Sequence, residues 1–198
     1  MEAEAKLVLD ARALLGEGAV WDAGRGCVWF VDIKQRAVWR YDSAADTHQR
    51  WGAPAEIGWV LPASDGRLLA GMRTGLHAFD PDTGEFVVLG KVPGEPSGNR
   101  LNDACTDFAG RAWFGSMDDG EEALSGRFYR FDRGNIEAAG PSSICITNGP
   151  AVCPATRRIF FTDTAGQKIL VADLAASGDV GPARLFVDTA RDLSLIHI

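Results

Sequence analysis

EGAVWDAGRGCVWFVD (residues 17–32), IGWVLPASDGRLLAGM (57–72), NDACTDFAGRAWFGSM (102–117) and NGPAVCPATRRIFFTD (148–163) align with one another. Each is a short apolar strand, a polar turn holding Gly, Asp or Pro, and a second apolar strand, and their first residues lie 40, 45 and 46 positions apart. A third strand ending in an acid follows each, as AVWRYD (37–42), GLHAFD (75–80), RFYRFD (127–132) and KILVADL (168–174). β-Branched and aromatic runs with a turn about every ten residues read as strands, and no long stretch has helical period.

A unit that recurs at this spacing selects a β-propeller over a sandwich, because a sandwich has no reason to repeat. The fold class is therefore all-β, with about four blades in 198 residues. A ring closes only when its first and last blades meet, so KLVLDARALL (6–15) is expected to be an outer strand of a blade not present here. The last six residues, LSLIHI, match no earlier pattern and are read as a non-native tail. This leaves residues 1–192 as a single incomplete propeller domain, C-terminally truncated, whose unpaired strand edges are expected to make it associate.

A hydrophobic content of 46% supports a packed core, and a net charge of -7 spread along the chain argues against nucleic acid as a partner. No apolar run approaches the roughly 20 residues that span a bilayer, and the first residues do not resemble a secretory signal. A cytoplasmic protein without a membrane partner is expected. Cys27, Cys105, Cys145 and Cys153 form no CxxC pair and are read as reduced packing residues.

In a propeller, residues that open equivalent inner strands converge on the central channel. Glu17, Asn102 and Asn148 occupy such positions, each about twelve residues before Trp29, Phe114 and Phe160. Gathered oxygen donors suit a hard or borderline divalent cation. The competing reading makes the three ordinary turn residues, since each stands beside Gly or Asp; the recurrence of an oxygen-bearing side chain at one repeat position is what turn chemistry does not require. Other chemistries lack their signatures. There is no GxSxG, only His48 and His77 precede the tail, and DPDTGE from Asp80 has its glycine one place early for a calcium loop and reads as a hairpin turn.

LGEGAVWD, NRLNDACTDFAGRAWFGSM and ITNGPAV resemble the motifs of the regucalcin/gluconolactonase/luciferin-regenerating-enzyme (senescence marker protein) family, over about residues 8–190. VDIKQR, FGSMDDGEE and ICITNGP are similar to bacterial xylonolactonases and related aldonolactonases. The resemblance implies a six-bladed propeller holding one divalent metal, with Glu17 and Asn148 as ligands and Arg100 and Asn102 as substrate contacts. A further contact falls in DDGEE, where Glu121 is chosen over Asp119 and a solvated acidic loop is the alternative.

The family's third ligand is an aspartate that also acts as general base. No motif for it follows Asn148, so no catalytic residue is assigned. Asp163 and Asp173 end strands as Asp32 and Asp42 do, and are expected to serve structural hydrogen bonds. The implied activity is opening of a sugar lactone such as xylonolactone or gluconolactone to the aldonic acid, by a complete protein that is monomeric. The ion is calcium, zinc, magnesium, manganese or iron(II), and the chain as given is expected to be inactive. The alternative is a non-catalytic calcium-binding or protein-interaction propeller.

Overall fold

The computed structural model describes residues 5–192. Four antiparallel sheets follow one another, each a four-stranded meander. The first comprises β1 (Gly16–Asp22), β2 (Cys27–Asp32), β3 (Ala37–Asp42) and β4 (Thr47–Gly52). The second comprises β5 (Ile57–Pro62), β6 (Leu68–Met72), β7 (Gly75–Asp80) and β8 (Glu85–Gly90). The third comprises β9 (Asn99–Thr106), β10 (Ala112–Asp118), β11 (Gly126–Asp132) and β12 (Asn135–Ile144), and the fourth β13 (Thr147–Cys153), β14 (Arg158–Asp163), β15 (Lys168–Asp173) and β16 (Arg184–Asp188). A single helical turn, α1 (Thr189–Asp192), follows.

The first strands are the inner ones. β1 packs on β5, β5 on β9 and β9 on β13, and among the described residues the arc stays open between β13 and β1. This is a propeller arc of four blades.

The core is divided into layers between blades rather than gathered at one centre. Trp29, Ile57, Leu68 and Phe79 fill the first layer, Trp59, Leu76, Phe114 and Tyr129 the second, and Trp113, Phe128, Ile159 and Phe161 the third. Each of these aromatic residues is at most 1% exposed, and burying one such side chain contributes roughly 2–3 kcal/mol before entropy is counted. Alternation along a strand produces this layering: in β2, Trp29 and Val31 point into the layer while Phe30 lies on the opposite face, stacked on Trp39 at 5.9 Å.

An acid at the end of the inner strand anchors the blade's own tryptophan. Asp22 accepts hydrogen bonds from Trp29 Nε1 (3.2 Å) and Arg25 (3.0 Å), and Asp107 from Trp113 Nε1 (2.9 Å) and Arg111 (2.7 Å). Strand-ending aspartates close the next turns. Asp42 accepts from the amides of Ala44 and Ala45, Asp80 from Asp82, and Asp163 from Gly166, while Asp173 faces Arg158. DPDTGE is the turn joining β7 to β8.

Residues 6–15 do not form the expected outer strand. A strand needs a ladder, and here the amides of Leu14 and Leu15 donate instead to the Asp32 carboxylate (2.9 and 3.2 Å), while Leu7 is 76% exposed. All four cysteines are free. The segment LSLIHI lies outside the described residues.

Candidate active site

All four inner strands carry an irregularity at the same level. The register slips between Glu17 and Val20 in β1, between Ile57 and Trp59 in β5, between Leu101 and Ala104 in β9, and between Asn148 and Ala151 in β13. Bulges of this kind re-aim side chains and interrupt pairing. Here they fall beside Glu17, Asn102 and Asn148.

Small residues let the inner strands meet at that level. A Cβ on Gly58 would stand 2.3 Å from the carbonyl oxygen of Leu101, and one on Gly18 would stand 3.3 Å from the carbonyl of Gly58. The backbones of the first three blades are therefore stacked at the positions that carry the site.

A polar belt crosses from blade to blade at the same end. Lys34, after β2, reaches Glu56 (3.2 Å) and Asp119 (2.9 Å). Arg73, in the turn after β6, donates to Glu56 (2.7 Å) and to Asp119. Arg100 Nε donates to Asp119 (2.9 Å) and its Nη1 to Asn102 Oδ1 (2.5 Å). Asn102 Nδ2 in turn reaches the carbonyl of Thr147 (2.6 Å) and Asn148 Oδ1 (3.2 Å). The belt ends where Asn148 Nδ2 donates to Thr164 Oγ1 (2.7 Å), so the carboxamide presents its oxygen on the Asn102 side.

Burial acts to raise the Asp119 carboxyl, but the hydrogen bond and charge of Lys34, with Arg73 and Arg100, outweigh it and hold the group below the usual carboxylate range. Glu56 is lowered in the same way, burial being overcome by Arg73 and Lys34. Asp103 behaves oppositely. Burial pushes its carboxyl up, and the amides of Gly149 (2.8 Å) and Ala104 (2.8 Å) offset this only in part.

The residues singled out by sequence divide in two. Arg100, Asn102 and Asn148 join one hydrogen-bonded chain, and Glu17 stands at the bulge of β1, two inner strands from Asn102 and three from Asn148 along the arc. Glu121 lies apart: it is exposed, with a φ of 59°, in the turn whose Asp118 carboxylate accepts the amides of Glu122 and Ala123. Asp119 is the acid of DDGEE that touches Arg100.

Glu17 and Asn148 are oxygen donors of the kind that hard divalent cations take, and the fixed amide of Asn148 suits that use. Among the described residues no three His, Cys, Asp or Glu side chains gather to hold an ion. Sequence reasoning missed Lys34, Arg73, Asp103 and Thr164. Lys34 lies inside the quoted VDIKQR and Asp103 inside the quoted NDA, so these two carried a signal; Arg73 and Thr164 carried none.

Residues 15–196 match the model of the SMP-30/gluconolactonase/LRE-like region. The chain belongs to this family. Among its curated relatives in the SMP-30/gluconolactonase group, L-arabinolactonase of Azospirillum brasilense is 30% identical over 187 residues, covering 92% of this chain and 62% of its own. Pentonolactonase of Haloferax volcanii is 29% identical over 164 residues, covering 82% of this chain and 54% of its own. The chain thus spans roughly three fifths of their length. The solved calcium-binding protein regucalcin of Agrobacterium tumefaciens superposes with a TM-score of 0.84 at 26% identity, covering 89% of this chain and 60% of that one. These relatives place the chain in a family of propellers that includes sugar-lactone hydrolases.

Proposed function

We propose that the protein is a metal-dependent hydrolase that opens an aldonolactone of pentose or hexose size to its acid. The observation that carries this reading is the hydrogen-bonded run Arg100–Asn102–Asn148, which ties the expected substrate contacts to an expected metal ligand across two blades. The names of the curated lactonase relatives support it.

Glu17 and Asn148 would hold a divalent cation, which when bound supplies Lewis acidity toward a lactone carbonyl. Arg100, 5% exposed, is a fixed donor rather than a mobile surface charge. Its guanidinium and the Asn102 carboxamide bind sugar hydroxyls, and Asp119, clamped by three cations, accepts from another hydroxyl. Holding the ring in one pose converts binding energy into orientation. With Glu17 as its only carboxylate, the pair alone retains an ion weakly, so a chain limited to these four blades is expected to be inactive.

Ring opening releases a proton. A pH-indicator assay of the full-length gene product with xylono-, arabino- and gluconolactone, with and without added calcium, manganese or zinc, tests the reading. Metal-stimulated acid release above the spontaneous rate is expected. Metal binding without acid release from any lactone would instead favour a non-catalytic calcium-binding propeller.

A further inference from the structure

The bulge in β9 gives two successive side chains the same neighbour. Along a regular strand Asn102 and Asp103 would point to opposite faces, but the register with β10 slips between Leu101 and Ala104, and both residues reach β13. Asn102 donates to the Thr147 carbonyl (2.6 Å) and to Asn148 Oδ1 (3.2 Å), and Asp103 Oδ2 accepts the amide of Gly149 (2.8 Å). Thr147 is tied to the third blade a second time, its Oγ1 donating to the Ser116 carbonyl (2.9 Å). Three consecutive residues of the fourth blade are thus held from the third.

The Asp103 contact answers a specific need of the backbone. β13 pairs with β14 at Asn148 and again at Ala151, so Gly149 and Pro150 fall in a gap of the ladder. Pro150 has no amide to place. Gly149 has one, in the left-handed region at a φ of 71°, and a partly buried amide without an acceptor is costly. Asp103 supplies the acceptor from the next blade. It does so from the channel, where it stands beside Gly18 and Trp59, and burial there pushes its carboxyl up, so the placement costs stability.

We infer that Asp103 is a positioning residue for Asn148, fixing the backbone one residue beyond it so that the carboxamide oxygen keeps its aim. Thr164 holds the other end of the same side chain, through Nδ2. The two act on different atoms: Thr164 sets the rotation of the carboxamide, and Asp103 sets the path of the strand that carries it. Partners that orient a ligand in this way tune a metal site without entering it. The role toward an ion rests on the reading of Asn148 as a metal ligand; the hold on residues 147–149 does not.

The test is a calorimetric manganese titration of the full-length gene product and of its Asp103→Ala and Asp103→Asn variants. Asparagine keeps an oxygen for the Gly149 amide, and alanine has none. The alanine variant is expected to lose about 10- to 100-fold in manganese affinity, and the asparagine variant to stay within about threefold of the parent. Amide exchange of the segment from Cys145 to Cys153, followed by mass spectrometry in metal-free protein, is a second readout. It should be at least about fivefold faster in the alanine variant, as the loss of one hydrogen bond allows, and close to the parent's in the asparagine variant. An alanine variant that shifts the unfolding midpoint and keeps the parent's manganese affinity has lost only a structural contact, and this overturns the assignment. An asparagine variant that falls as far as alanine also overturns it, because charge and not the hydrogen bond would then be at work. A parent that binds no manganese would sink the metal reading, and the exchange rates alone would then decide whether Asp103 holds this segment.

Discussion

Asn102 Nδ2 lies 3.2 Å from Asn148 Oδ1, joining two inner strands across 46 positions of sequence. Asn102 also accepts from Arg100 and donates to the Thr147 carbonyl, and it is buried. Both amide hydrogens are used, so the residue is a rivet between the third and fourth blades.

Asn102→Ala should therefore destabilise as well as inactivate. Leaving a buried guanidinium and carbonyl without their partner costs on the order of 2 kcal/mol. Urea unfolding of the variant should show a midpoint shift of that size, and a variant as stable as the parent would show that the bridge carries no weight.

Thr164→Val removes the acceptor that orients the Asn148 carboxamide. Partners of this kind typically carry about 10- to 100-fold in metal affinity. Manganese titration should show a loss in that range, with Thr164→Ser close to the parent. Unchanged affinity in the valine variant would detach Thr164 from the site.

Asp103 gives a pH signature. Its folded carboxyl is raised above the unfolded value of about 3.9, so its favourable contribution is fully present below that value and is lost as pH rises through the folded one. Asp103→Asn should therefore gain stability relative to the parent between pH 4 and 7. Parallel stability curves for the two proteins across that range would contradict the burial cost.

Gly58→Ala tests the close approach of the inner strands. Its Cβ would sit 2.3 Å from a backbone oxygen that cannot swing away, so a cost of at least about 2 kcal/mol is expected. Thermal unfolding measures it directly, and an unperturbed midpoint would mean that the strands are less tightly stacked than described.

The blades were legible because each one must write its own strands and turns, and the repeat of VWFVD, LLAGM, AWFGSM and IFFTD shows it. Glu17, Asn102 and Asn148 were visible for the same reason: equivalent places in equivalent units. Residues whose meaning depends on a neighbouring blade were not. Lys34 and Arg73 look like loop cations until Asp119, from the third blade, is placed between them. The choice between Asp119 and Glu121 turns on two residues of loop path, which no repeat constrains. KLVLDARALL is apolar enough to read as a strand, yet composition cannot supply a ladder partner, and the Asp32 carboxylate takes the amides of Leu14 and Leu15 instead.

The central claim is that Glu17 and Asn148, brought to one channel by separate blades, serve a single cation that drives lactone opening. Acid release from an aldonolactone, followed across a manganese titration for the full-length gene product and for its Glu17→Gln variant, tests it most directly. The account predicts a saturable metal-dependent rate in the full-length protein that disappears in the variant. A variant with the parent's metal-dependent rate would contradict it.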